Sequence, residues 1–71
     1  MTEAERKRLL GEWRASTPDT DTRAGIDAER ARIVELGVAG VLDERTVQVG
    51  LQGLAVMLRS LETAERARRR R

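Results

Sequence analysis

Five apolar residues at alternating spacings of four and three constrain the fold of this 71-residue chain more than any other feature. They are Val47, Leu51, Leu54, Leu58 and Leu61. Such spacing is typical of an α-helix that buries one face against another helix, because residues three and four apart lie on the same side of a helix. Asp43 precedes the pattern as a suitable N-cap, and Glu44 follows in the first turn, where the helix dipole favours negative charge. We predict a helix over residues 44 to 68.

A first helix is predicted over residues 3 to 15. Thr2 followed three residues later by Glu5 forms a capping box, in which a hydroxyl and a carboxylate bind the unpaired amides of the first turn. The apolar stripe of this helix is narrow and consists of Leu9, Leu10 and Trp13. A stripe of this width favours docking against the rest of the chain. Trp13, the only aromatic residue, is therefore either the anchor of this helix or a hot spot of an interface.

A second helix is predicted over residues 23 to 39. The preceding segment, residues 16 to 22, contains a proline and several residues typical of turns and caps. The candidate caps for the second helix are Thr17, Asp21 and Thr22. Ile26 and Ile33, seven residues apart, define its apolar side. Gly37 and Gly40 weaken its end, where glycine readily takes the left-handed conformation of a C-cap.

We expect an all-α protein of three helices, forming a single domain over residues 1 to 65 and followed by a basic tail. Helices 2 and 3 are predicted to form a tight antiparallel hairpin, with the N-terminal helix packed across it or exchanged with a second chain. Gly50 and Gly53 each weaken helix 3 by about 1 kcal/mol relative to alanine. Close approach to Gly37 and Gly40 of helix 2 is the expected compensation, and a docking face for a partner helix is the alternative.

The composition excludes several classes of chemistry. With no cysteine and no histidine, the chain lacks disulfides, thiolate and imidazole metal ligands, and the commonest general base. Two pairs of neighbouring carboxylates, Asp43 with Glu44 and Glu62 with Glu65, are candidates for acid–base catalysis. They fit helix caps and helical ion pairs better, such as Arg59 or Arg66 with Glu62. We therefore expect no enzyme activity and no cofactor, metal or small-molecule substrate. No segment resembles a signal peptide or a membrane span, so a soluble, cytoplasmic protein without a membrane partner is expected.

A chain of this size buries only a thin core. Small folded domains bury about 60% of the surface that the unfolded chain exposes, and neither disulfides nor metals reinforce this one. Helix 3 is also apolar on more than one side. We therefore expect a homo-oligomer or a complex with a helical protein partner. The predicted interface residues are Trp13, Val47, Gly50, Leu51, Gly53, Leu54, Met57, Leu58 and Leu61.

The C-terminal tail concentrates positive charge. Residues 1 to 65 carry nine cations against twelve carboxylates, whereas the last six residues contain five arginines, and the whole chain has a net charge of +2. The five are Arg66, Arg68, Arg69, Arg70 and Arg71. Arginine stays ionised and matches phosphate oxygens in geometry, so DNA or RNA phosphate is a candidate partner. An acidic protein surface is a second candidate, and a solvated chain end is the third interpretation.

Part of the chain resembles a known kind of segment. Residues 40 to 46, read as Gly-Val-Leu-Asp-Glu-Arg-Thr, are followed by the leucines of helix 3 and by Leu-Glu-Thr-Ala-Glu-Arg at residues 61 to 66. This stretch of about 30 residues resembles a leucine-rich helical segment of uncharacterised bacterial and phage-associated proteins. The resemblance implies a phage or mobile-element context and brings no catalytic residue with it.

Two functions follow as hypotheses. The first is a non-catalytic accessory or adaptor protein that associates with itself through its helices and binds nucleic-acid phosphate without sequence specificity through its arginines. Oligomerisation would strengthen such binding through avidity. The alternative is a phage or mobile-element structural or assembly protein, or another protein–protein interaction module, with no nucleic-acid role.

Overall fold

The computed structural model describes residues 1 to 70, which form three α-helices. Helix α1 spans Glu3–Ala15, α2 spans Arg23–Val38 and α3 spans Glu44–Arg69. Each bound lies within one residue of its predicted position. The all-α prediction is therefore confirmed for the described residues.

A short polar side chain caps the start of each helix. Thr2 Oγ1 accepts a hydrogen bond from the backbone N–H of Glu5 at 3.1 Å, and Asp43 Oδ1 accepts one from Thr46 at 2.7 Å. Of the three candidate caps for α2, the structure uses Thr22, whose hydroxyl accepts from Gly25 at 3.0 Å. These bonds satisfy amides that the helices themselves leave without partners, which is why the helices begin at these residues.

Helices α2 and α3 form the predicted antiparallel hairpin. Arg23 at the start of α2 pairs with carboxylates late in α3, whereas Gly37 near the end of α2 faces Val47 early in α3. The turn between the helices depends on Gly40, whose φ of 81° lies in the left-handed region that favours glycine. It directs the N–H of Val41 back to the carbonyl of Leu36 at 2.9 Å.

The core lies between the two hairpin helices and extends under the turn. Its buried centre is formed by Ile26, Ile33, Leu42 and Leu54. Leu10 and Trp13 of α1 pack against this centre from one side. Within the single chain, helix α1 therefore contacts the hairpin through these two side chains, and its exchange with a second chain stays a prediction.

The prediction that glycines pack against glycines was wrong in detail. A Cβ atom at Gly37 would lie 2.8 Å from Val47 Cγ2, and one at Gly50 would lie 3.0 Å from Ile33 Cδ1, so each glycine accommodates a branched side chain of the facing helix. Gly40 belongs to the turn, and Gly53 is exposed, with nothing within 4 Å of where its Cβ would lie apart from its chain neighbours and the adjacent backbone of α3. Between the two hairpin helices, only Gly37 of α2 and Gly50 of α3 closely approach the facing helix.

Candidate functional site

The tail arginines that the structure describes lie at the end of α3. Helix α3 continues through Arg66, Arg68 and Arg69, and Arg70 is its C-cap. Arg71 lies outside the described residues. The positive side chains stand at the negative end of the helix dipole, which stabilises both the helix end and their charge. The tail is therefore a helical continuation of the hairpin up to Arg69.

All the described tail arginines are exposed. Arg66, Arg68, Arg69 and Arg70 are each open to solvent. Within residues 1 to 70, none of them takes part in an ion pair. Because an α-helix has 3.6 residues per turn, Arg66 and Arg70 share one face, while Arg68 projects on the opposite side. Their guanidinium groups are thus free to bind oxygen anions from more than one direction.

The carboxylates nearest to the tail are engaged by α2. Arg23 lies 3.7 Å from Glu62 and 3.6 Å from Glu65, measured between guanidinium nitrogen and carboxylate oxygen. In the described part of the chain Glu62 pairs with neither Arg59 nor Arg66, so the predicted ion pairs within α3 were wrong. Arg23 on the facing helix reaches both carboxylates at once. These two acidic residues therefore pair with α2 and not with the tail arginines, although one guanidinium balances only one of their two charges.

The predicted interface residues fall into two groups. Most of them pack within the single chain: Leu54 is only 6% exposed, and Trp13, Val47, Leu51, Leu58 and Leu61 are partly buried against the core. Gly50 is also partly buried and faces Ile33 of α2, whereas Gly53 and Met57 are exposed on α3. The partly buried members keep surface that a second chain can cover, so their role in an interface stays a prediction.

Trp13 anchors α1 to the hairpin, one of its two predicted roles. Its indole nitrogen donates a hydrogen bond to Glu29 Oε1 at 2.9 Å. Its backbone carbonyl accepts one from the hydroxyl of Ser16 at 2.6 Å, at the residue that ends the helix. Sequence reasoning missed Glu29, although a carboxylate three residues from Ile26 must lie near the apolar side of α2.

One side of the hairpin carries an apolar groove, here called the hairpin groove. It consists of two hollows of about 340 and 440 Å³ that follow one another along α3. Its apolar residues are Ile26, Val34, Val38, Leu42, Val47, Leu51, Leu54, Ala55 and Leu58, and its charged residues are Arg30, Glu44, Arg59 and Glu62. Among the described residues no part of α1 lines either hollow. Helix α1 therefore leaves this side of the hairpin uncovered.

The α2 contribution to the hairpin groove was not predicted as an interface. Arg30, Val34 and Val38 recur at intervals of four, so they form one stripe along α2. Val38 is 86% exposed and Val34 is also open to solvent. The spacing of this stripe can be read from the sequence. It did not predict an interface, because Ile26 and Ile33 already define an apolar side of α2 that packs in the core.

Two further properties of residues 1 to 70 bear on function. No group of three or more acidic side chains in this part of the chain is arranged to hold a metal ion. No helix within it is long and apolar enough to cross a membrane.

Comparisons with protein-family models, curated proteins and solved structures found no match.

Proposed function

We propose that the protein is a non-catalytic adaptor that associates with itself through its helices and binds nucleic-acid phosphate through its C-terminal arginines. The phosphate-binding residues are Arg66, Arg68, Arg69, Arg70 and Arg71. DNA and RNA are both candidate ligands, because contacts to phosphate carry no sequence information. A single aromatic residue, partly buried against the core, provides no platform for stacking on bases.

The observation that carries the proposal is the state of the tail arginines. Arg66, Arg68, Arg69 and Arg70 are exposed, and the nearby carboxylates Glu62 and Glu65 are paired with Arg23. A guanidinium without a carboxylate partner gains more from a phosphate, since no ion pair has to be broken first. The helix also fixes the backbone of Arg66 to Arg69, which lowers the entropy lost on binding.

Self-association would raise the affinity of the tails for nucleic-acid phosphate. Five arginines on one chain neutralise few phosphates, and such contacts weaken strongly as salt rises. Linking two tails through an assembled body makes the second contact intramolecular, which raises the overall affinity without new contacts. The uncovered hairpin groove supplies apolar surface for that assembly.

The test is binding of labelled double-stranded DNA, and separately of RNA, across a salt series. If all five arginines of a chain neutralise phosphates, log affinity for DNA should fall against log salt with a slope of about −4.5. An oligomer should give a steeper slope. Absence of binding at low salt would refute the phosphate role.

A pair of charge-matched variants locates the contact. Arg69→Gln with Arg70→Gln should reduce the magnitude of the slope by about 1.8 per chain, because two phosphate contacts are lost. Lys7→Gln with Arg8→Gln removes the same charge from the exposed side of α1 and should leave the slope unchanged. Equal losses in both variants would mean that net charge, and not the tail, drives binding.

The hairpin groove also favours a second candidate, a protein–protein interaction module such as a phage or mobile-element assembly component. In that case the tail contacts an acidic protein surface. Deleting residues 66 to 71 separates the two functions. Loss of nucleic-acid binding with assembly intact supports the adaptor, whereas loss of assembly supports the interaction module.

A further inference from the structure

The hairpin groove carries unpaired charges of opposite sign at its two ends. Glu44 lines the hollow near the start of α3, and Arg30 and Arg59 line the hollow further along, together with Glu62, which pairs with Arg23. Within residues 1 to 70, Glu44, Arg30 and Arg59 belong to no ion pair. Along α3 the lining between Glu44 and Arg59 is apolar apart from Gln48. A partner for this groove therefore needs apolar residues in the middle and complementary charges at both ends.

A second copy of the same groove has this arrangement. Glu44 and Arg59 are fifteen residues apart, which is about 22 Å along a helix. The midpoint between them falls at Leu51 and Gln52, and Leu51 lines the groove. A two-fold axis through this midpoint makes two α3 helices antiparallel and aligns each Glu44 with the opposite Arg59 along the shared axis. Two-fold interfaces are self-complementary in this way, so every such contact occurs twice.

We propose that the hairpin groove is the self-association surface and that it binds the groove of a second copy in an antiparallel dimer. Glu44 of each chain then pairs with Arg59 of the partner subunit, and the apolar residues around Leu51 are covered. The proposal rests on the self-association in the proposed function and specifies the surface that performs it. It also gives Val34 and Val38, which are exposed in the single chain, an apolar partner.

The charge distribution along α3 selects the antiparallel arrangement. Asp43 and Glu44 stand at its start, whereas the arginines are concentrated at its end. Parallel helices would bring two arginine clusters together, and they would repel each other. Antiparallel helices oppose their dipoles favourably and place the two tails at opposite ends of the dimer. Both tails then remain free for phosphate.

The test is a charge exchange across the proposed pair, followed by sedimentation equilibrium over a wide concentration range. Glu44→Arg and Arg59→Glu should each raise the dimer dissociation constant by about tenfold, because two attractive pairs become two repulsive ones. The double variant restores opposite charges and should return the constant to within about threefold of the wild-type value. Circular dichroism of each variant verifies that the helices remain intact.

Two control variants make the same changes in net charge outside the groove. Lys7→Glu matches Arg59→Glu, and Glu35→Arg matches Glu44→Arg. Both residues are exposed, and neither lines the hairpin groove. The controls should leave the dissociation constant unchanged. Rescue by the double variant also removes the objection that Glu44→Arg simply weakens the first turn of α3, since a local defect would not be repaired by Arg59→Glu.

Three results would overturn the proposal. A wild-type chain that stays monomeric at all concentrations refutes it. The salt dependence of DNA binding then still tests whether the tail arginines bind phosphate. If the single variants dimerise as strongly as the controls, the hairpin groove is not the dimer interface, although the protein still self-associates. If Val56→Asp abolishes the dimer while Glu44→Arg and Arg59→Glu leave the dissociation constant unchanged, the interface lies on the exposed outer face of α3.

Discussion

Trp13 of α1 donates a hydrogen bond from its indole nitrogen to the carboxylate of Glu29 on α2, at 2.9 Å. Glu29 is only 8% exposed, although it is a charged residue. Burying a carboxylate is costly unless a donor satisfies it. Trp13 thus performs two tasks: its ring fills space beside the core, and its N–H compensates the carboxylate beneath it. The ion pairs of α1 in the described chain lie within that helix, so this bond is its polar connection to the hairpin.

Replacing Trp13 with phenylalanine should destabilise the fold more than its lost area implies. Phenylalanine keeps an aromatic ring but has no donor, which leaves the Glu29 carboxylate buried without its partner. A loss of about 1 to 3 kcal/mol in the free energy of unfolding is expected, measured by urea denaturation. Glu29→Gln retains an acceptor oxygen and is the matched control, with a smaller loss. Equal stability of Trp13→Phe and wild type would show that water satisfies the carboxylate.

The two glycines Gly25 and Gly53 should respond to alanine in opposite directions. A Cβ atom at Gly25 would overlap the backbone carbonyl of Asp19 in the segment between α1 and α2. That segment would have to move, so Gly25→Ala should lower the free energy of unfolding by about 1 to 3 kcal/mol. Thermal unfolding followed by circular dichroism provides the measurement.

Gly53→Ala is the matched control, because only its chain neighbours and the adjacent backbone of α3 come within 4 Å of the added methyl group. Here only helix propensity changes, and alanine should stabilise α3 by up to about 1 kcal/mol. If this variant is less stable than the wild type at high protein concentration but not at low concentration, another chain packs closely against Gly53.

Much of the fold was predictable because it depends on local signals. Asp43 lies at the boundary where a polar side chain captures the first amides of α3, and the apolar spacing from Val47 to Leu61 fixes which face turns inward. The left-handed conformation of Gly40 follows from its place just after α2. Such features need only neighbours in sequence, so the sequence is sufficient to locate them.

The pairings between helices were less predictable. Spacing within α3 suggested that Glu62 binds Arg59 or Arg66, but the facing residue Arg23 reaches it instead. Similarly, Gly37 and Gly50 accommodate Val47 and Ile33, and not each other. Which residues face one another depends on the axial offset and rotation of two packed helices, and neither quantity is encoded in the period of a single helix.

The Arg23 bridge to Glu62 and Glu65 should contribute little to stability. All three side chains are more than a third exposed, and the nitrogen–oxygen distances of 3.6 and 3.7 Å are long. Arg23→Gln should lower the free energy of unfolding by less than about 1 kcal/mol, and the difference should vanish at high salt. Its larger effect should be on the tail: freed carboxylates beside Arg66 should weaken DNA binding at low salt. An unchanged affinity for DNA would show that these carboxylates do not influence the tail.

The cap of α3 should make part of the stability depend on pH. Hydrogen bonds from the side chain and then the backbone N–H of Thr46 lower the pKa of Asp43 below its usual value of 3.8. A carboxyl group with a lower pKa in the folded state contributes stability that is fully present above its unfolded pKa and is lost as the pH falls through the folded pKa. Asp43→Asn keeps an acceptor for the amide but cannot titrate. The stability of this variant should therefore fall less steeply than that of the wild type below about pH 4. Urea denaturation at a series of acidic pH values measures the two slopes, and identical slopes would show that Asp43 does not contribute to acid unfolding.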